Sequence, residues 1–108
     1  MLTYIDVIPS KSSITPEENL NILGGAANHG EAVETDITVW GSIGNGWKPL
    51  ITRHYLIEKG EHKHLYFTLT PEILHARLWV NGPDEFELII RATEPAADEN
   101  GVLIFVSE

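Results

Sequence analysis

His62 and His64 stand two residues apart on an extended segment, so both imidazoles project from one face, and His54 lies on the segment just before it. Imidazole nitrogens at about 2.0–2.1 Å hold Zn²⁺ when further donors converge on the ion. No cysteine and no spaced acid completes the set, so a solvated polar face is the plainer account. Asp98, Glu99 and Asn100, in the acidic stretch 94–101, offer oxygens to Ca²⁺. That ion wants about six to eight oxygen ligands, and the spacing here matches no EF-hand loop. Consecutive acids cannot all point inward, so no cofactor is required and Ca²⁺ is the one these residues could take.

Aromatic side chains form the third set. Trp40, Tyr66 and Trp79 each lie, by alternation, on the face opposite the main apolar residues of their segments, and Trp47 sits in a Gly-rich loop. Rings on a polar sheet face can stack on sugar rings or anchor a protein partner. The competing reading buries them under a loop, a neighbouring domain or a second copy of the chain. A register one residue out would do the same. Nucleophilic chemistry has no support: Ser42 lacks a Gly-x-Ser-x-Gly context, and no Gly-rich strand-to-helix loop exists to cradle phosphate. The chain is not expected to be an enzyme.

The elements that must carry these residues are strands. Residues 34–40, 62–70 and 86–92 alternate apolar and polar side chains with period two, which gives each strand one face to bury. Further strands are expected at 2–8, 19–26, 50–58 and 101–106, with room for a short edge strand in 10–15. Lys59-Gly60 is read as the turn of a hairpin joining 50–58 to 62–70. Gly24-Gly25 marks a bulge or a close backbone approach, and Asn28-His29-Gly30 a turn. After Pro71 a short helical turn gives way to an alternating segment through Leu74, Ala76, Leu78 and Val80. The expected fold is all-β: an immunoglobulin-like antiparallel β-sandwich of seven to nine strands, one domain over 1–108. A small closed barrel is the competing architecture. The expected core is Ile5, Val7, Leu20, Ile22, Ile37, Val39, Leu65, Phe67, Leu69, Leu78, Phe86, Leu88, Ile90, Leu103 and Phe105.

Composition narrows the partners. The 108 residues carry 16 acids against seven Lys and Arg, a net charge of −9, with no Lys/Arg cluster to exchange with nucleic-acid counterions. No run approaches the roughly 18 apolar residues of a membrane span, so no membrane insertion is expected. The absence of cysteine removes disulfide and thiol chemistry. Met1-Leu2-Thr3-Tyr4-Ile5-Asp6 has neither a basic nor an apolar leader region, so no signal peptide is expected. The protein either stays in the cell or is a fragment of a larger exported protein, which would favour an extracellular or cell-surface site.

In this order the segments resemble the bacterial CARDB-type, fibronectin type III-like immunoglobulin modules. The likeness rests on Val7-Ile8-Pro9-Ser10 followed by Ile14-Thr15-Pro16-Glu17-Glu18, and on the Asn28-His29-Gly30 turn. It also rests on residues 56–60 leading into 65–71, and on residues 86–92 with the acidic stretch behind them. Glu17 replaces a family glycine, and residues 72–81 are longer than a simple connection. The resemblance implies a non-catalytic accessory, adhesive or spacer module of a larger bacterial protein, with protein or polysaccharide partners. The alternatives are a carbohydrate-binding module using Trp40, Trp47, Tyr66 and Trp79, and a self-assembling phage or surface-layer protein, hence a homo-oligomer.

Overall fold

Leu20, Ile22, Gly24 and Ala26 are buried while Asn21 and Leu23 between them are exposed, the alternation that a strand with one covered face requires. The computed structural model describes residues 1–78 and 83–107. Its elements are β1 (Leu2–Pro9), β2 (Ser13–Ile14), β3 (Leu20–Ala27), β4 (Val33–Ser42), β5 (Lys48–Ile57), β6 (His62–Leu69), α1 (Pro71–Leu78), β7 (Asp84–Ala92), β8 (Ala96–Glu99) and β9 (Gly101–Val106). A four-stranded sheet runs β6-β3-β1-β8 and a five-stranded sheet runs β2-β9-β7-β4-β5. The immunoglobulin-like sandwich expected from the sequence is what forms. Its inner pairs are antiparallel, while the short edge strands β8 and β2 pair parallel with β1 and β9.

One cluster of buried side chains fills the space between the sheets, with Ile5, Leu20, Leu65 and Leu69 from one and Ile37, Phe86, Leu88 and Ile90 from the other. The packing is tight at Gly24. A Cβ there would meet Ile90 Cδ1 of the facing sheet at 2.9 Å and the Asp6 carbonyl oxygen at 3.0 Å. The Gly24-Gly25 pair therefore marks a close approach, and the β1–β3 register runs through it without a bulge.

Four local expectations are corrected. Leu103 and Phe105 are 39% and 49% exposed, and Ile104 and Val106 take their places in the core. Val102 to Val106 is apolar throughout, so its alternation carries no facing; the pairing of Ile104 with Phe86 supplies it. Residues 50–58 and 62–70 do not form a hairpin, because β5 and β6 belong to different sheets. The Lys59-Gly60 turn instead carries the chain across the sandwich.

Asn28 holds that corner from within. Fully buried, it donates from Nδ2 to the carbonyls of Glu31 (2.8 Å) and Ile57 (3.1 Å), and its Oδ1 accepts from Gly30 N (3.0 Å). Its backbone N–H and carbonyl bond Glu61 and Gly60 of the opposite turn. Every polar atom of this buried side chain thus has a partner, as a polar group away from water must.

The segment read as alternating after Pro71 is helical up to Leu78. Thr70 caps it, its Oγ1 accepting from Ile73 N at 3.2 Å, and Pro71 takes the first helical position, where no N–H is needed. Leu74 and Leu78, four apart, are the buried residues of its inner face. Val80 lies outside the described residues. Finally, the acidic stretch is not all loop, since residues 96–99 pair with β1 as β8.

Candidate functional site

The outer face of the five-stranded sheet carries a groove built by three neighbouring strands. β4 buries Thr35, Ile37 and Val39 and so turns Glu34, Asp36, Thr38 and Trp40 outward. β7 buries Phe86, Leu88 and Ile90 and turns Glu85, Glu87, Ile89 and Arg91 to the same side. Their register sets Ile89 beside Trp40 and Arg91 beside Thr38.

The third wall depends on a β-bulge. Thr38 pairs with Thr52 and Val39 with Ile51, but the register shifts between Val39 and Trp40, so that Trp40 pairs with Pro49. An unbroken register would put Leu50 opposite Trp40 and turn it to solvent. With the bulge Leu50 is buried, and Pro49 comes out to join Trp40. Trp47 closes the groove from the loop between β4 and β5. That loop turns at Gly44 (φ 100°) and Gly46 (φ 107°), a backbone conformation that glycine adopts without strain.

The groove is open to solvent and has a volume of about 610 Å³, within the range of small-molecule sites. Its apolar wall is Trp40, Trp47, Pro49 and Ile89; its polar side is Asp36, Thr38, Thr52, Arg91 and Thr93. The hydroxyls of Thr38 and Thr52 bond each other at 2.8 Å. Thr93 Oγ1 donates to the Asp36 carbonyl at 3.1 Å and accepts from the Asp36 amide at 3.1 Å, which fixes that end of β4. Arg91 Nε donates to Glu99 Oε2 at 2.8 Å. His54 Nδ1 lies 2.9 Å from Asp36 Oδ1, and Glu34 is 3.9 Å from its Nε2. The hydrogen bond to Asp36, with the charges of Asp36 and Glu34, raises the His54 pKa above its ordinary 6.5.

The four aromatic candidates do not form one site. Trp40 and Trp47 line the groove together. Tyr66 is on the outer face of the other sheet, 63% exposed, in a row with Leu23 and Ile8 across β6, β3 and β1. Trp79 lies outside the described residues. Sequence reading missed Pro49, Ile89 and Arg91; the alternation of β7 signals the last two, while Pro49 depends on the bulge.

The histidines are also separated. His54 belongs with Asp36 on the five-stranded sheet, whereas His62 and His64 project from the four-stranded one. The actual neighbours of His62 are Tyr4, whose Oη is 3.1 Å from its Nδ1, and His29, whose ring centroid is 6.2 Å away.

The residues offered to Ca²⁺ are used in structure. Glu99 holds Arg91, and Asn100 Oδ1 accepts from Val7 N at 3.2 Å, so two of the three donors are already engaged. Asp98 borders a shallow hollow with Tyr4 and Asp6, whose buried Oδ1 has no hydrogen-bond partner among the described residues. No group of three or more His, Cys, Asp or Glu among the described residues is placed to hold a metal ion. Nor is any described helix long and apolar enough to cross a membrane.

No family model matches the chain, and no curated protein matches its sequence. Solved structures do match its fold. A CARDB domain from Pyrococcus furiosus, in complex with di-metal ions, is 15% identical with a TM-score of 0.72. That match covers 99% of this chain and 93% of the other. A β-glucosidase from Listeria innocua is 16% identical with a TM-score of 0.72, over 96% of this chain. The present chain spans only 16% of that enzyme's length. A sporulation control protein of Bacillus subtilis is 14% identical with a TM-score of 0.61, over the whole chain and 50% of its own. The chain therefore has the CARDB-type, immunoglobulin-like fold. One match that runs through nearly all of both partners is to a CARDB domain, whereas the β-glucosidase match covers a minor part of that enzyme.

Proposed function

We propose that this chain is a non-catalytic accessory module of a larger protein, an adhesive or spacing unit that presents one sheet face to a ligand. One observation carries the reading: the sandwich matches a CARDB domain end to end, yet accounts for only 16% of the β-glucosidase whose fold it also shares. A fold that recurs as a domain of one protein and as a minor part of an enzyme is suited to being appended to different machinery. The geometry agrees with it. Charged groups at the groove, Asp36 with His54 and Arg91 with Glu99, are exposed ion pairs on a sheet surface, without the enclosed, water-excluding cleft that tunes acids and bases for catalysis.

The test is to assay the purified chain against aryl glycosides and aryl esters beside its His54→Ala variant. The expected result is no turnover by either protein, with a single cooperative thermal transition for the chain alone. Turnover by the native chain that disappears in His54→Ala would overturn the proposal.

A further inference from the structure

We infer that the Trp40–Trp47 groove binds the ring of a neutral saccharide, an assignment that rests on the accessory-module reading and names its ligand class. A pyranose presents an apolar face of C–H groups and an edge of hydroxyls. The groove offers both counterparts side by side: an indole wall with Pro49 and Ile89, and a polar side with a carboxylate, a guanidinium and threonine hydroxyls. Two tryptophans from different elements, one on a strand and one on a loop, contribute indole surface to this wall.

Charge decides which saccharide. Glu34, Asp36, Glu85 and Glu87 all project from this face, and the groove's own cation, Arg91, is paired with Glu99. With a net charge of −9 on the whole chain, a uronate or sulfated sugar meets repulsion over the entire approach. A neutral sugar meets no such repulsion, and its hydroxyls can donate to the Asp36 carboxylate and accept from Arg91 and the threonine hydroxyls.

Hydrogen-bonding capacity argues against the other ligands that favour aromatic walls. A polyproline segment brings carbonyl acceptors but no N–H donors at its prolines, so it offers nothing to the Asp36 carboxylate that a sugar hydroxyl can meet. A quaternary ammonium is held by an aromatic cage. Here the groove has two aromatic rings among the described residues and a guanidinium beside them.

The experiment follows tryptophan fluorescence of the full chain during titration with cellohexaose, xylohexaose, mannohexaose and a galacto-oligosaccharide. Hexagalacturonate, choline and decaproline serve as comparators. At least one neutral oligosaccharide should give a saturable change. Trp47→Ala, in the loop between β4 and β5, should weaken that binding by about ten-fold or more while the thermal transition is retained. Tyr66→Ala, on the opposite face, should leave it within about two-fold. The assignment fails if no neutral oligosaccharide saturates, if any comparator binds more tightly than all of them, or if Trp47→Ala binds as the native chain does. Such a failure would leave the turnover assays above unaffected, so the ligand class and the module reading fall separately.

Discussion

His54 and Asn28 show how differently two polar residues of this chain are employed. Asn28 reads in the sequence as one member of a turn signal, and the turn is there. Its larger role, tying the 28–31 turn to the corner at 57–61, depends on which segments cross between sheets, and no local pattern encodes that. His54 is exposed and paired with Asp36, and the sign of its contribution follows from its raised pKa. A group whose pKa is higher in the folded than in the unfolded chain lends its full stabilisation below the unfolded value, near 6.5, and loses it as the pH rises through the folded one. Stability gained from this pair therefore declines over the interval that begins near pH 6.5 and runs through the raised folded-state pKa. Melting temperatures of the native chain and of Asp36→Asn, measured across that interval, should converge toward the alkaline end. In a proton NMR titration the His54 imidazole should titrate above 6.5 in the native chain and nearer to it in Asp36→Asn. Equal titration in both proteins would refute the pairing.

Among the elements, β3, β4, β6 and β7 were legible because each alternates polar with apolar residues against one covered face. β9 was legible as a strand but not in its facing, since five apolar residues in a row satisfy either register. The stretch after β6 deceived in a different way. Leu74, Ala76 and Leu78 fit a period of two as well as Leu74 and Leu78 fit a helical period, and Thr70-Pro71-Glu72 was the stronger signal: a capping hydroxyl, a proline at the first position and an acid in the first turn. The cap gives a direct check. Thr70→Ala should cost about 1 kcal/mol, and Thr70→Asp should restore most of it, because a carboxylate also accepts from the amides of the first turn. Urea unfolding midpoints of the three proteins measure this. If Asp restores nothing, Thr70 acts there by packing rather than as a cap. The bulge in β5 belongs at this scale too. It alone decides that Pro49 rather than Leu50 stands beside Trp40, which is why Pro49 could not be placed in the candidate groove from alternation.

For the molecule as a whole, the packing of its two sheets leaves little room at Gly24, where a Cβ would meet both the facing sheet and the neighbouring strand. The Gly-Gly pair announced a close approach in the sequence without saying to what; the answer, Ile90 of the facing sheet, is a tertiary fact. Placing a methyl group at Gly24 sets it 2.9 Å from Ile90 Cδ1, which a rotamer change could relieve, and 3.0 Å from the Asp6 carbonyl, which the β1–β3 ladder holds in place. The second contact cannot relax without moving β1 or β3, so the strain is shared with the core on both sides. Gly24→Ala should therefore destabilise the chain by about 1–3 kcal/mol, despite the gain that alanine brings by stiffening the unfolded state. Gly24→Ala combined with Ile90→Val removes the side-chain clash and leaves the backbone one. If the Asp6 carbonyl of the neighbouring strand carries part of the cost, the double variant should recover only part of the loss, measured as a coupling energy in a double-mutant cycle. Full recovery would place all the strain on the Ile90 methyl and none on the approach of the strands.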